Sequence, residues 1–257
     1  MKFKFALVEG VRRQAESGLK GKCIFCGAEM TAKCGQIRVH HWAHRRTLTC
    51  DRWWEPETEW HRAWKDQFPL EWQEIIQESP QDGEKHIADV KTKTGVVLEF
   101  QYSFLRRDER ESREKFYQNM LWVVYGRRRK RDMQQFFACL KAGNVINHEP
   151  VIVSVVWTEG ALLRDWGVNR LPVYFDFGNS KTLWRLDPHG PDGTTYPSPM
   201  TKAEFLRVHL AGEPFDRMFS EVIRQLAAAR SKQAPQSREL TGFDRHMARK
   251  QRTRPRF

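Results

Sequence analysis

The chain has 257 residues and a formal net charge of +12, from 44 lysines and arginines against 32 aspartates and glutamates. With 12% aromatic and 30% charged residues, it is too aromatic for a disordered chain and too charged for an integral membrane protein. Its apolar runs are too short to cross a bilayer and its first residues lack the apolar centre of a secretory signal, so we expect a cytoplasmic protein without membrane contact.

Periodic apolar residues predict most of the elements after residue 52. Trp60, Trp64 and Phe68 share one helical face and predict a helix that begins near Glu55. Gly95 separates two apolar stretches and predicts the turn of a β-hairpin. In chain order, the predicted strands cover 75–76, 87–90, 96–101, 121–125, 151–157, 171–177 and 183–186, and the later helices cover 106–119, 133–140, 202–210 and 214–230.

Composition and element order divide the chain into four predicted regions. Residues 1–52 hold a cysteine cluster, 53–140 form an α/β core, 141–230 form a C-terminal α/β extension, and 231–257 form a basic tail. Eight basic and two acidic residues give the tail half of the net charge, so we expect it to be disordered in isolation. The arginines of the tail either follow nucleic acid or recruit a protein of recombination or defence.

Most of the cysteines lie in the first fifth of the chain, which indicates a metal site rather than a disulfide framework. Cys23 and Cys26 form a Cys-x2-Cys knuckle that presents two thiolates at zinc spacing. His44 is the next candidate ligand, and either Cys50 or His41 completes a tetrahedral site. Free thiols, with histidines that serve the core or nucleic acid, are the alternative.

A pair of carboxylates on neighbouring predicted strands indicates a second metal site. Because strand side chains alternate between faces, Glu99 and Gln101 point the same way, with Asp89 on the adjacent strand. Two such carboxylates can hold a divalent cation that activates water and neutralises charge on a phosphodiester. The pattern is loose, and a hairpin with outward acidic residues also occurs by chance.

The helix before this hairpin adds three polar side chains. Glu57, His61 and Lys65 follow one another at intervals of four residues, so in a helix they share one face. Glu57 would extend the acidic site. The alternative is a solvent-exposed helix on which Lys65 pairs with a nearby carboxylate.

The ordered series of motifs resembles the competence protein CoiA-like family. The matching residues are Cys23-x2-Cys26, His41-x2-His44, Glu57-x3-His61-x3-Lys65, Asp89, Glu99-Phe-Gln-Tyr-Ser103 and Arg113-x3-Tyr117. This family is similar to the PD-(D/E)xK nuclease superfamily, with an N-terminal zinc-finger-like module. The resemblance implies a restriction-endonuclease-like mixed sheet in which Asp89 and Glu99 bind Mg²⁺ or Mn²⁺, and Glu57 binds the ion directly or through water.

Gln101 stands where the superfamily usually has a lysine. An amide can orient a group by hydrogen bonding but supplies no positive charge, so Lys65 or His61 would have to supply it. The first hypothesis is therefore a metal-dependent DNA nuclease. The second is a DNA-binding or adaptor protein with a degenerate nuclease core, and a nuclease directed at RNA is a third.

Two further groups of residues are candidates for nucleic-acid binding. Arg113 and Tyr117 lie one turn apart on the predicted helix, where they either contact the scissile strand or lock the helix to the sheet. A five-residue basic run that includes Arg127, Arg128 and Arg129 follows a buried strand. These arginines either bind phosphates or form a solvated face.

Overall fold

The structure is a computed structural model that describes residues 3–37, 39–46, 50–53, 55, 57–156, 159–167, 171–178, 181–187 and 194–233. Residues 1–220 form one compact unit, and residues 221–257 form a second. Pro56, at the start of the helix that is predicted from near Glu55, and the basic tail from residue 234 onward lie outside the described residues. None of the helices described is both long and apolar enough to cross a membrane.

The N-terminal residues form a curled antiparallel sheet of short strands. In chain order these are β1 (Phe5–Val8), β2 (Val11–Gln14), β3 (Lys20–Lys22), β4 (Glu29–Lys33) and β5 (His41–His44), in the sheet order β2-β1-β3-β4-β5. The sheet curls far enough for Phe3, just before β1, to pair with Trp42 of β5. Gly21 permits the tight curl, because a Cβ atom there would lie 2.8 Å from the Leu7 carbonyl oxygen.

A mixed sheet of nine described strands follows in the first unit. Its strands are β6 (Gln73–Glu78), β7 (Lys85–Lys91), β8 (Val97–Gln101), β9 (Met120–Tyr125), β10 (Asn144–His148), β11 (Val151–Val156), β12 (Val173–Asp176), β13 (Thr182–Asp187) and β14 (Thr194–Thr201). They lie in the order β10-β11-β14-β13-β12-β9-β8-β7-β6. The pairs β8–β9 and β9–β12 are parallel, and the other pairs are antiparallel.

Helices of the first unit cover both faces of this sheet. They are α1 (Glu59–Lys65), α2 (Arg107–Tyr117), α3 (Asp132–Ala142), α4 (Ala161–Trp166) and α5 (Lys202–Ala211), with a 3₁₀ turn at Leu70–Trp72. A sixth helix, α6 (Phe215–Gln233), begins in the first unit and ends in the second. Alternate residues of β9 enter two cores: Trp122 packs with residues of α3 and α4, and Val123 packs with residues of α1 and α5. Burial on both faces explains why β9 is an uninterrupted apolar run. The prediction of an α/β fold is confirmed.

The hairpin that carries the candidate acidic pair is confirmed as β7 and β8, with Gly95 at a φ of 82° in the turn. Helix α1 begins later than predicted, because Thr58 caps it. The Thr58 hydroxyl accepts the His61 N–H, while His61 Nδ1 accepts the Thr58 N–H at 3.3 Å. The prediction that Glu57 lies on the helix is therefore wrong, since Glu57 precedes the cap.

Candidate active site and metal centre

Three cysteines and one histidine meet at the end of the N-terminal sheet. Ligand atoms of Cys23, Cys26, His44 and Cys50 all lie within 4.8 Å of one another, and they are the one group of this kind found among the described residues. Cys26 Sγ lies 3.3 Å from His44 Nε2, and Cys23 Sγ lies 3.6 Å from Cys50 Sγ. Soft thiolates with one imidazole are the donor set of structural zinc, so the cluster could bind such a metal.

A hydrogen bond joins the thiols of Cys23 and Cys50. Their mutual hydrogen bond lowers the pKa of Cys23 to about 5 and raises the pKa of Cys50. A second thiolate beside the first would be favourable only with a cation between them. The cluster is therefore prepared for a metal that binds deprotonated sulfur.

His41 stands apart from the cluster. It pairs with Lys33 on the neighbouring strand, whereas His44 pairs with Met30, so an odd number of strand positions turns the two imidazoles to opposite faces. His41 Nδ1 lies 2.8 Å from the Val39 carbonyl oxygen. Of the two alternatives for the fourth ligand, the structure brings Cys50 to the cluster and leaves His41 out.

A cleft of about 70 Å³ gathers most of the residues predicted for the acidic site. The predicted residues that line it are Glu57, His61, Lys65, Asp89, Glu99, Arg113 and Tyr117. Three further carboxylates line it without having been predicted as site residues: Asp51, Glu55 and Glu74. Helices α1 and α2 pack on opposite faces of the sheet. Their side chains meet in the cleft because β7 and β8 separate there.

Separation of these two strands brings the acidic pair together. The ladder between β7 and β8 pairs Val90 with Leu98 and, nearer the turn, Lys91 with Val97. Beyond it, carboxylates replace backbone acceptors: the Asp89 N–H donates to Glu99 Oε1 at 3.2 Å, and the Phe100 N–H donates to Asp89 Oδ2 at 3.0 Å. Each carboxylate is thus fixed against the strand of the other.

The acidic pair is electrostatically unfavourable as two anions. Burial, together with the charge of Asp89, raises the pKa of Glu99 to about 8. Burial also raises the pKa of Asp89, although Lys65 opposes that shift. Such a pair favours either a proton or a cation. Within the described residues, however, no third acidic residue brings a carboxylate oxygen as close to this pair as the ligand atoms of the cysteine cluster are to one another.

Lys65 supplies the buried positive charge of the cleft. Its Nζ lies 2.6 Å from Glu57 Oε1 and 2.9 Å from Glu74 Oε1. Burial disfavours the ammonium, but the charges of Glu74 and Glu57 outweigh burial and raise the pKa of Lys65. Lys65 therefore stays protonated and is suited to stabilise negative charge rather than to accept a proton.

Arg113 connects α2 to the acidic pair. Its Nη1 lies 3.2 Å from Glu99 Oε2, and its Nη2 donates to the Trp53 carbonyl oxygen at 2.6 Å and to Glu109 at 2.5 Å. Burial and the charge of Glu99 raise the pKa of Tyr117, one turn along, well above its ordinary value. In this structure Arg113 locks the helix to the sheet, and its contact with a nucleic-acid strand stays a prediction.

Gln101 faces a carboxylate rather than the cleft itself. Its Nε2 donates to Glu55 Oε2 at 3.0 Å, and the Ser103 N–H donates to Glu55 Oε1 at 2.7 Å. His61 Nε2 lies 3.4 Å from the same Glu55 oxygen, Oε2. Burial opposes the charge of Glu55, but hydrogen bonds from His61 and Ser103 outweigh it and lower the pKa of Glu55. Glu55 thereby orients both Gln101 and His61.

Glu74 was the acidic residue that a sequence signal could have found. It lies in β6, a strand otherwise read from its apolar Ile75 and Ile76, and it is buried. The cost of burying a carboxylate, which drew attention to Glu99, applies equally here. Asp51 carries no such signal, because it comes from a segment without periodicity. It accepts hydrogen bonds from His86 Nδ1 at 2.8 Å and the Ile87 N–H at 2.9 Å.

The basic run lies in the loop between β9 and α3, and two of its arginines are already paired. Asp165 Oδ2 accepts from Arg128 at 2.5 Å and from Arg129 at 2.8 Å. Arg129 also pairs with Asp132 at 2.8 Å. Arg127 is exposed. Phosphate binding by this run stays a prediction.

Comparison of the chain with protein-family models, with curated proteins and with solved structures returned no match. Function must therefore be argued from the residues of the cleft and of the metal cluster themselves.

Proposed function

We propose that this chain is a divalent-metal-dependent nuclease that hydrolyses phosphodiester bonds of DNA, of the CoiA-like type, with a zinc-binding N-terminal module. The observation that carries the proposal is the buried pair of Asp89 and Glu99, each bonded to the strand of the other. The order of α1 followed by a mixed sheet bearing this pair is the arrangement that a restriction-endonuclease-like core implies.

The donor set fits a hard divalent cation. Asp89 and Glu99 offer carboxylate oxygens, and both have raised pKa values because burial disfavours their anions. Mg²⁺ commonly binds through one or two carboxylates and keeps water and phosphate oxygens as its other ligands. When bound, the ion would lower the pKa of water and neutralise charge on the phosphate.

The remaining residues of the cleft have distinct roles in the proposed reaction. Lys65 keeps its charge beside Asp89 and stabilises the negative charge that develops on the phosphate, in place of the lysine missing at Gln101. Glu57 and Glu74 hold that ammonium in position. Arg113 balances Glu99 from the other face of the sheet.

The test is cleavage of supercoiled and single-stranded DNA with Mg²⁺ or Mn²⁺. We expect the wild type to cut, Glu99→Ala to lose cutting, and Glu78→Ala, which removes an exposed acid of β6, to cut like the wild type. Equal cutting by Glu99→Ala and the wild type would reject the proposed mechanism.

A second candidate is a DNA-binding or adaptor protein of recombination or defence whose nuclease core is degenerate. It is favoured by Gln101, an amide that is hydrogen-bonded to Glu55 and carries no positive charge. This candidate predicts salt-sensitive DNA binding that is independent of Mg²⁺ and persists in Asp89→Asn, without any cleavage.

A further inference from the structure

Aromatic rings continue from the cleft across the carboxyl ends of β8 and β9. These strands are parallel, and Gln101 pairs with Val124, so the next residues, Tyr102 and Tyr125, leave the sheet side by side. Their rings stack with centroids 4.6 Å apart and an interplanar angle of 17°. Both residues are half-buried, so they are not sealed inside the core.

Helix α1 joins this series to the cleft. The Trp60 ring lies 5.6 Å from Tyr125 and 5.9 Å from Tyr102, measured between centroids. The His61 ring, which lines the cleft, lies 6.0 Å from Tyr102. We call these rings the aromatic strip: Trp60, Tyr102 and Tyr125, which contact one another, and Phe104, which follows Tyr102 by two residues. The strip begins beside the proposed catalytic residues.

Phe104 is the most exposed member of the strip. Its relative exposure is 61%, and the Arg128 guanidinium lies 5.4 Å from the centroid of its ring. Arg128 is itself held by Asp165 at 2.5 Å and by the Ser103 carbonyl oxygen at 3.4 Å. A cation fixed over an exposed ring makes a preformed platform for a planar, electron-rich group.

Positive charge flanks the same end of the sheet. Arg127, Lys130 and Arg131 of the loop after β9 are exposed, and they pair with no carboxylate in the part of the chain that the structure describes. Single exposed aromatic residues are common on protein surfaces. A series of rings bordered by unpaired cations and continuous with a cleft is the arrangement that binds single-stranded nucleic acid, because bases stack on rings while phosphates meet the cations.

We propose that the aromatic strip binds the bases of single-stranded DNA and that the loop after β9 contacts its phosphates, so that a single strand is led to the cleft. The inference rests on the proposed nuclease function for the role of the cleft. A duplex keeps the faces of its bases stacked inside and cannot use the rings in this way.

The test measures binding without cleavage, by fluorescence anisotropy of a labelled oligonucleotide in a buffer without added Mg²⁺ or Mn²⁺, which leaves the cysteine cluster with its metal. We expect the wild type to bind the single strand more tightly than the duplex of the same sequence. Phe104→Leu keeps an apolar side chain but removes the ring, and we expect it to bind the single strand at least about fivefold more weakly, with duplex binding unchanged. Val145→Ala, at a position 50% exposed on the distant strand β10, is the control and should bind like the wild type.

Two results would overturn the inference: equal affinity of the wild type for single strand and duplex, or unchanged single-strand binding by Phe104→Leu. Neither depends on catalysis, because the buffer supplies no Mg²⁺ or Mn²⁺. A protein that shows the expected binding but cuts no better than Glu99→Ala would refute the nuclease while leaving the aromatic strip as a single-strand binding site.

Discussion

The Lys65 ammonium lies 2.9 Å from Glu74 Oε1, and this pair links the candidate active site to the N-terminal sheet. The Glu74 carboxylate also accepts the backbone N–H groups of Lys4 at 3.0 Å and Phe5 at 3.2 Å. Glu74 has a φ of 47°, which is strained for a residue with a side chain. Such a conformation persists when several contacts hold it, and here they hold the acid that positions Lys65.

Replacement of Lys65 should be strongly destabilising. Lys65→Met leaves Glu74 as a buried carboxylate without its cation, and Glu57 with Arg62 alone, so we expect the free energy of unfolding to fall by about 3–5 kcal/mol. Urea denaturation measures this change. The double variant Lys65→Met, Glu74→Gln also removes the buried charge of Glu74, so it should recover part of the lost stability. A Lys65→Met protein as stable as the wild type would contradict the role of Lys65.

Stability should depend on pH through Glu99. In the folded protein the pKa of Glu99 is raised to about 8, whereas an unfolded chain titrates glutamate near about 4.3. Between these values the folded state holds a proton that the unfolded state has released. Without divalent cation, the free energy of unfolding should therefore fall as pH rises through this window, by at most about 1.4 kcal/mol per pH unit.

Glu99→Gln isolates this effect, because an amide does not titrate. We expect the variant to lack the Glu99 part of the pH dependence and to be more stable than the wild type at the alkaline end of the window. Added Mg²⁺ should stabilise the wild type there and leave Glu99→Gln unaffected. Parallel pH profiles of urea unfolding for the two proteins would count against the raised pKa.

Metal analysis of the purified protein should find zinc at the cysteine cluster. Cys26→Ser should lose the metal, whereas Cys34→Ser, outside the cluster, should retain it. Removal of zinc should lower the melting temperature and, after Mg²⁺ is restored, should still leave DNA cleavage weakened, because Cys50 directly precedes Asp51, which is bonded to His86 and Ile87 of β7. Full cleavage by zinc-free protein supplied with Mg²⁺ would show that the cluster does not support the cleft.

Asp176 should act as a positioning residue for α1. Its Oδ2 accepts the indole N–H groups of Trp60 and Trp64, each at 2.9 Å, and its Oδ1 lies 2.7 Å from Lys202 Nζ. Asp176→Asn replaces one of these acceptor oxygens by a donor, so we expect a loss of about 1–3 kcal/mol in the free energy of unfolding. We also expect a lower kcat with little change in KM, and Glu204→Gln on α5 provides an exposed control.

Local signals explain why much of the site could be predicted. Gly95 between two apolar strands predicted the hairpin, and the cost of a carboxylate in an apolar strand predicted Glu99. The Cys23-x2-Cys26 knuckle carries its metal chemistry in its own spacing. Each of these signals lies within a few residues and needs no knowledge of the fold.

The rest depends on contacts between distant segments. Glu55, Glu74 and Asp51 reach the cleft only through tertiary structure, and no spacing connects them to Asp89. The start of α1 was placed too early, because a histidine rather than Glu or Gln completes the capping box at Thr58. Strand β14 was not predicted, because it contains Pro197 and Pro199. The prolines are tolerated because the pairing of β14 with β11 involves only Thr194 and Thr195, so no ladder on that side is interrupted.

The parallel pairing of β9 with β12 has a practical consequence for dissecting the protein. Residues 172–176 supply the backbone partners that the structure describes along one side of β9, and Asp176 among them holds α1. A fragment truncated after α3 would present the bare edge of an apolar strand to solvent and invite self-association. The smallest active fragment of this chain should therefore include the strands beyond β9. These strands hold β9 and α1 in place, and with them the residues of the proposed chemistry.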